Sequence, residues 1–271
     1  MPTLRDISDL IESAAPLSWQ ESWDNSGWQV APLGLDIPCT GALLCLDVTP
    51  DAVAEAADAG LNLIVSHHPL IFRGLKQIVD GPGATPQVKA VTDAIRRGIA
   101  VYSSHTALDS APAGPSRWLA DRLGLGNLSI LDPSTAPGAD HGLGLVGDLP
   151  APLPLTRFAA LVQDVYGGPV SFTPGPDPAA EVVRVALCSG SGGEFIPAAL
   201  AAGADAYITS DIRYHDLLDW GRRIILADTG HYESEICTKS IFSAIISEKF
   251  PNFALRMSRS ERSPLLEHVQ D

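Results

Sequence analysis

Short apolar runs alternating with capped helices constrain this chain more than any other feature. Gly41–Val48 reads as a buried strand, and Thr49 caps a helix that Pro50 opens and Gly60 stops. Leu61–Ser66 is a second apolar run, Val88–Arg97 a second helix closed by Gly98, and Ile99–Ser104 a third run. This β-α-β-α-β order predicts a parallel sheet with right-handed crossovers. Ahead of it, Leu4, Ile7, Leu10 and Ile11 recur at helical spacing over Leu4–Ala15, with Thr3 placed as the N-cap.

Three proline-rich stretches then break the rhythm, at Leu131–Asp140, Leu149–Leu155 and Thr173–Ala180. Around them lie a helix at Thr156–Tyr166, a strand at Glu181–Cys188, a helix at Glu194–Ala202 and a strand ending at Ser210. The expected fold is α/β with two α/β domains, the second inserted into the first. The first is discontinuous, 1–129 plus 228–271, and the second covers 130–227. A strand at 223–228 and a helix from 231 return the chain to the first domain. A loose strand–helix–A-G-x-[ND]–strand pattern at Asp58–Ser66 and Ala201–Ser210 hints at internal duplication.

The apolar runs empty into ligand-type residues. Leu61–Ser66 leads to His67 and His68, Ile99–Ser104 to His105 and Asp109, Ala206–Ser210 to Asp211 and His215, and 224–227 to Asp228, His231 and Glu235. Carboxyl ends of strands are where open α/β sheets place their chemistry. Taken singly, a histidine after a strand is a loop hydrogen-bonder, and His231 with Glu235 is a helix-surface pair. Four such ends in one chain point to a metal centre. His231 and Glu235, four apart, share a helix face, whereas Glu233 points to solvent. In an extended chain His67 and His68 face opposite ways, and Pro69 keeps His68 out of the helical region, so each suits a different ion. Imidazoles and carboxylates without thiolate fit a pair of divalent ions, with Zn, Fe, Mn, Co and Ni all open.

Composition removes several alternatives. The 271 residues are 45% hydrophobic and 18% charged, a globular balance. A formal charge of −14 argues against nucleic acid as a partner, because counterion release needs clustered Lys and Arg. No apolar stretch is long enough to span a membrane, and the N-terminus lacks a signal-peptide layout, so a cytoplasmic protein is expected. Cys39, Cys45, Cys188 and Cys237 form no C-x-x-C pair and read as core thiols of a reducing compartment. The turn Ser189–Gly193 precedes a helix, so its N–H groups suit an anion such as phosphate or form a tight turn. It matches neither nucleotide-binding glycine fingerprint, and no G-x-S-x-G or H-E-x-x-H is present.

Several segments occur in a familiar order: W-D-N-S-G from Trp23, L-D-V-T-P from Leu46, S-H-H-P-L-I-F from Ser66 and S-H-T-A-L-D from Ser104. They continue with S-G-S-G-G from Ser189, T-S-D-I-R-Y-H from Thr209 and G-H-Y-E-S-E from Gly230. The chain resembles the NGG-interacting-factor-three-like family of dinuclear-metal proteins, labelled GTP cyclohydrolase I type 2 homologues, over nearly its whole length. The resemblance implies the protomer of a toroidal homohexamer, a trimer of dimers, with two divalent ions per subunit. It implies His67, His68, Asp109, His231 and Glu235 as ligands, with Glu235 as the bridge. His105 would stand beside the metals as a proton-transfer group, and Asp211, Tyr214 and His215 would approach from the second domain. Ser210 replaces the family's usual glycine, and Ser26 its usual hydrophobic residue. The implied function is a metal-dependent hydrolase of a nucleotide-like or phosphorylated heterocyclic substrate. In it His105 or His215 moves protons, while Ser189, Gly190, Gly192, Asp211 and Tyr214 hold the substrate. The alternative is a non-catalytic metal-binding hexameric scaffold or regulatory protein.

Overall fold

Thr3 and Asp6 cap one another in a reciprocal box that starts α1 (Leu4–Ala14), whose buried face carries Leu4, Ile7 and Ile11. The computed structural model describes residues 1–134, 140–177 and 179–264. One unit comprises Met1–Ala111 with Thr238–Arg262, and the body of the other is Pro112–Cys237.

The first unit continues through β1 (Gly27–Val30), β2 (Ala42–Cys45), α2 (Pro50–Asp58), β3 (Leu63–Ser66), α3 (Pro86–Arg97), β4 (Ala100–Ser103) and α4 (Thr106–Asp109). Thr49 and Thr85 cap α2 and α3 through their hydroxyls, each helix has proline in its first turn, and Gly98 closes α3 at φ 67. Strands β2, β3 and β4 pair in parallel, as the alternation predicted, and every residue in them is buried. Leu43, Ile64 and Val101 pack on Val53, Ala56 and Val91 of the crossover helices. Antiparallel β1 borders β4. The strand expected over Gly41–Val48 is shorter than its apolar run because Leu46 and Asp47 give their N–H groups to Glu261.

The second unit holds α5 (Pro115–Leu123), β5 (Gly126–Pro133), β6 (Gly142–Pro154), α6 (Leu155–Tyr166), β7 (Ser171–Phe172), β8 (Glu181–Ser191), α7 (Ile196–Ala201), β9 (Ala206–Ser210), α8 (Tyr214–Trp220), β10 (Ile225–Thr229) and α9 (His231–Glu235). The sheet order is β5-β6-β8-β9-β10-β7, with β8, β9 and β10 parallel and the others antiparallel. Phe158 and Val162 of α6 and Leu119 of α5 fill one face, and Ile196 and Ala199 of α7 the other. The proline-rich stretch Leu149–Leu155 lies largely in β6, where Pro150 and Pro152 occupy a register shift between Asp148 and Leu153. Leu131–Pro133 likewise belong to β5. Residues 135–139 and 178 of the other two proline-rich stretches lie outside the described residues, as do 265–271. Gly60 after α2 and Gly203 after α7 both turn the chain into a parallel strand at positive φ.

The expected domain boundaries require correction. β10 pairs with β9 and β7, so 228–237, with His231 and Glu235, belong to the second unit. Residues 112–129 also belong there, because α5 packs in the same core as α6 and β5 pairs with β6. The chain rejoins the first unit only at α10 (Thr238–Lys249), and β11 (Leu255–Met257) then pairs in parallel with β2 to give the order β1-β4-β3-β2-β11. Among the described residues no helix is long and apolar enough to cross a membrane.

After β11 the chain lies along α2, where Glu55 accepts hydrogen bonds from Arg259 N, Ser260 N, Ser258 Oγ and Ser260 Oγ at 2.8–3.1 Å. Burial pushes the Glu55 carboxyl up, but these donors outweigh it and hold the group below its ordinary value. A depressed carboxyl adds stability above its unfolded value of about 4.3 and surrenders it as pH falls through the folded value. Glu55→Gln is therefore expected to be less stable than the parent at neutral pH, by a gap that narrows at an acidic pH below the ordinary carboxyl range. Urea midpoints at the two pH values check this, and a gap independent of pH contradicts it.

Candidate metal centre

In the first unit β3 ends at Ser66 and the backbone bends at His67 and His68. His67 is fully buried, with Nδ1 3.0 Å from the Ser104 carbonyl oxygen. A carbonyl can only accept, so the proton sits on Nδ1 and the ring lone pair on Nε2. His68 Nδ1 lies 2.9 Å from Asp47 Oδ1, and His105 Nδ1 2.9 Å from Asp24 Oδ1. Three imidazoles thus have Nδ1 tied to an oxygen, the arrangement that metal-ligating histidines use to fix tautomer and ring orientation. They offer ligand atoms within 4.8 Å of one another, and His67 Nε2 is 3.5 Å from Asp109 Oδ1. The expected splitting of His67 and His68 to opposite faces is corrected: their ring centroids are 5.2 Å apart. Alternation applies within a strand, and the strand has already ended.

Asp24 organises the surroundings of His105. Its Oδ2 accepts from Thr106 N at 3.1 Å, Thr106 Oγ1 at 2.6 Å and Ser26 Oγ at 2.9 Å, while Ser26 Oγ accepts His105 N–H at 2.9 Å. Burial pushes the Asp24 carboxyl up, yet the hydrogen bond and charge attraction of His105, with Thr106 and Asn25 N–H, hold it far below the usual carboxylate range. Ser26, at a position where the resemblance led one to expect a hydrophobic residue, is thereby part of the polar support of His105.

In the second unit α9 starts directly after β10. His231 Nε2 is 2.9 Å from Glu235 Oε2, one helical turn away, and Nδ1 is 2.6 Å from Asp211 Oδ2. An imidazole between two carboxylates calls for a proton or a metal cation on its Nε2 side. Asp211 adopts φ 55, unusual for a residue with a side chain, and the Asp228 carboxylate accepts N–H groups of Asp211 and Ile212. Burial is the main cause that raises the Asp228 carboxyl above its ordinary value. Ser210, in the position of a family glycine, sits with its hydroxyl 3.2 Å from Thr229 Oγ1 and 3.1 Å from Ser234 Oγ. Tyr214 and His215 stand exposed at the start of α8, their rings 5.5 Å apart.

Of the two readings of the glycine-rich turn, an anion cradle or a tight turn, its first residues take part in the packing of the second unit. Gly190 donates its N–H to Ser234 Oγ at 3.0 Å and accepts Thr209 Oγ1 at 2.9 Å. Ser189 Oγ is 3.2 Å from Ser116 Oγ, and the Gly192 carbonyl accepts Tyr207 OH at 2.7 Å. Gly190 lies at φ +65, and a Cβ there would collide with Glu235 Oε1. Ser189 and Gly190 therefore spend their groups on packing, and the turn is a bed for the Glu235 carboxylate. Asp24, Asp47 and this bed escaped the reading of the sequence as site features, although W-D-N-S-G and L-D-V-T-P both stood out as segments.

Imidazoles oriented by oxygens, with carboxylates beside them and no thiolate, make each unit a holder of ligands suited to divalent ions. The chain belongs to the DUF34/NIF3 (NGG1p interacting factor 3) family, which it matches over residues 2–264. A Lactococcus lactis protein named GTP cyclohydrolase 1 type 2 homolog is 34% identical over 238 residues, 82% of this chain and 84% of that one. A Nostoc protein of the same name is 38% identical over 240 residues, 84% and 86% of the two chains. Among solved structures, Staphylococcus aureus protein SA1388 superposes with a TM-score of 0.86 at 26% identity, covering 98% of this chain and 99% of that one. A Bacillus cereus protein related to NIF3 does so with 0.85 at 22% identity, covering 98% and 99%.

Gly190→Ala is expected to displace Glu235 and lower the metal bound per chain by at least about tenfold in affinity. Its destabilisation should be on the order of 1–3 kcal/mol, from the positive φ and the clash. Elemental analysis beside urea unfolding checks both, and unchanged metal content would refute the bed assigned to this turn.

Proposed function

We propose that this chain is a metal-dependent hydrolase acting on a nucleotide-like or phosphorylated heterocyclic substrate. Two divalent ions per chain would be held by ligands drawn from His67, His68 and Asp109 of the first unit and His231 and Glu235 of the second. The observation that carries the reading is the oxygen on Nδ1 of each candidate ligand histidine: Ser104 O for His67, Asp47 for His68 and Asp211 for His231. That support sets Nε2 as the donor atom in all three and is what a metal-ligating imidazole requires. When bound, the ions supply Lewis acidity and make a water acidic enough to react near neutral pH.

The chain's own residues do the rest. Asp24 grips Nδ1 of His105, so that Nε2 takes up and returns a proton in a fixed direction, the role of a positioned general base and acid. The name carried by the Lactococcus and Nostoc relatives supports the heterocyclic substrate class. A toroidal homohexamer, a trimer of dimers, is the assembly proposed, and light scattering at several concentrations tests it.

Metal analysis of the purified protein, coupled to a screen of phosphoesters and cyclic amides, tests the activity. His68→Ala is expected to lose bound metal and turnover together, and full turnover by a metal-free variant would overturn the proposal. His105→Ala is expected to keep its metal and lose about 10²–10⁴-fold in kcat, the usual worth of a general acid–base group. Loss of metal in that variant would move His105 among the ligands.

A further inference from the structure

The strap that follows β11 ends in a buried ion pair that the proposed chemistry leaves unused. Glu261 is 8% exposed and lies 215 residues from the segment it meets. Its Oε1 accepts the N–H groups of Leu46 at 2.6 Å and Asp47 at 2.8 Å. Its Oε2 pairs with Lys239 Nζ at 2.9 Å, and Lys239, also 8% exposed, donates to the Ser258 carbonyl at 3.3 Å. The strap itself is stitched down, by Ser258 N to Leu44 O at 2.8 Å and by the donors gathered on Glu55.

Burying two opposite charges costs several kcal/mol per ion in desolvation, so such a pair is a poor way to gain stability alone. It is an effective way to fix geometry, because a carboxylate taking two successive N–H groups sets the direction of the peptide that carries them. Here that peptide leads into Asp47, whose carboxylate holds Nδ1 of His68. The side chain of Asp47 is 57% exposed, and the two N–H contacts of Glu261 fix the backbone from which it reaches His68.

We propose that Glu261, neutralised by Lys239, is a positioning residue for the metal centre: it clamps the backbone at Leu46–Asp47 and so fixes Asp47 on His68. The inference rests on the metal-binding reading above. It makes the last strap of the chain a determinant of metal affinity, although none of its residues is a ligand.

The test compares zinc affinity, by competition with a chromophoric chelator, across four full-length proteins: the parent, Asp47→Ala, Lys239→Met/Glu261→Ala, and the triple variant. Removing both charges together avoids an unpaired buried ion, which would itself threaten folding. Asp47→Ala and the charge-free pair are each expected to weaken one zinc ion about 10–100-fold, the usual effect of losing support behind a ligand. The triple variant should be no weaker than Asp47→Ala, because all act through one contact. Restoring the acceptor oxygen, in Lys239→Met/Glu261→Gln, should recover most of the affinity, which a merely structural role does not require.

Affinity within twofold of the parent in the charge-free pair, or losses that multiply in the triple variant, would overturn the clamp. The metal-free protein gives a second readout through nitrogen-15 imidazole spectra. His68 should show the Nδ1–H tautomer in the parent and tautomer exchange without the clamp. A parent that takes up no zinc would refute the metal reading, and the His68 spectrum then decides the clamp by itself: an unchanged tautomer sinks it.

Discussion

An imidazole placed in a buried, polar pocket has two nitrogens to satisfy, and the rest of this structure follows from how that demand is met. An oxygen at Nδ1 settles where the proton resides and which way the ring faces, leaving Nε2 as the donor atom. His67 meets a main-chain carbonyl, and His68, His105 and His231 meet carboxylates. Three of those partners are fixed in their turn. Ser104 follows β4, Asp24 is bound by Thr106 and Ser26, and Asp211 is turned by Asp228 into a left-handed conformation. The price is a dense polar network just beyond the strand ends.

Much of this was readable along the chain because the devices are local. Thr-Pro openings and glycine closings mark α2 and α3, and continuous burial makes β2, β3 and β4 uninterrupted apolar words. Histidine following such a word is conspicuous. What stayed hidden depends on partners distant in sequence. Asp24 meets His105 across 81 positions, and Asp47 meets His68 across 21. Pattern cannot say which of 32 acidic residues will do so.

The domain boundary failed for a related reason. The run 224–227 looks like any buried parallel strand, and nothing in its composition says which of two sheets it joins. Its antiparallel neighbour β7 is two residues long, too short to be seen as a strand, and it is part of what commits β10 to the second sheet. The glycine turn misled for another reason: glycine is chosen equally where a ligand approaches the backbone and where another side chain does. At Gly190 the visitor is Glu235.

The parallel pairing of β11 with β2 bears on the order in which the molecule is made. Until Leu255–Met257 leave the ribosome, β2 is an open sheet edge, and the backbone at Leu46–Asp47 has no anchor. The sheet of the second unit is drawn from one continuous stretch, Gly126–Thr229, and can close while synthesis continues, because its pairings need nothing made later. The first unit is built from two segments, Met1–Ala111 and Thr238–Arg262, and its second segment is made only after the strands of its neighbour. A chain truncated before Glu261 would therefore carry the candidate metal donors of both units and still lack the backbone anchor behind Asp47 and His68.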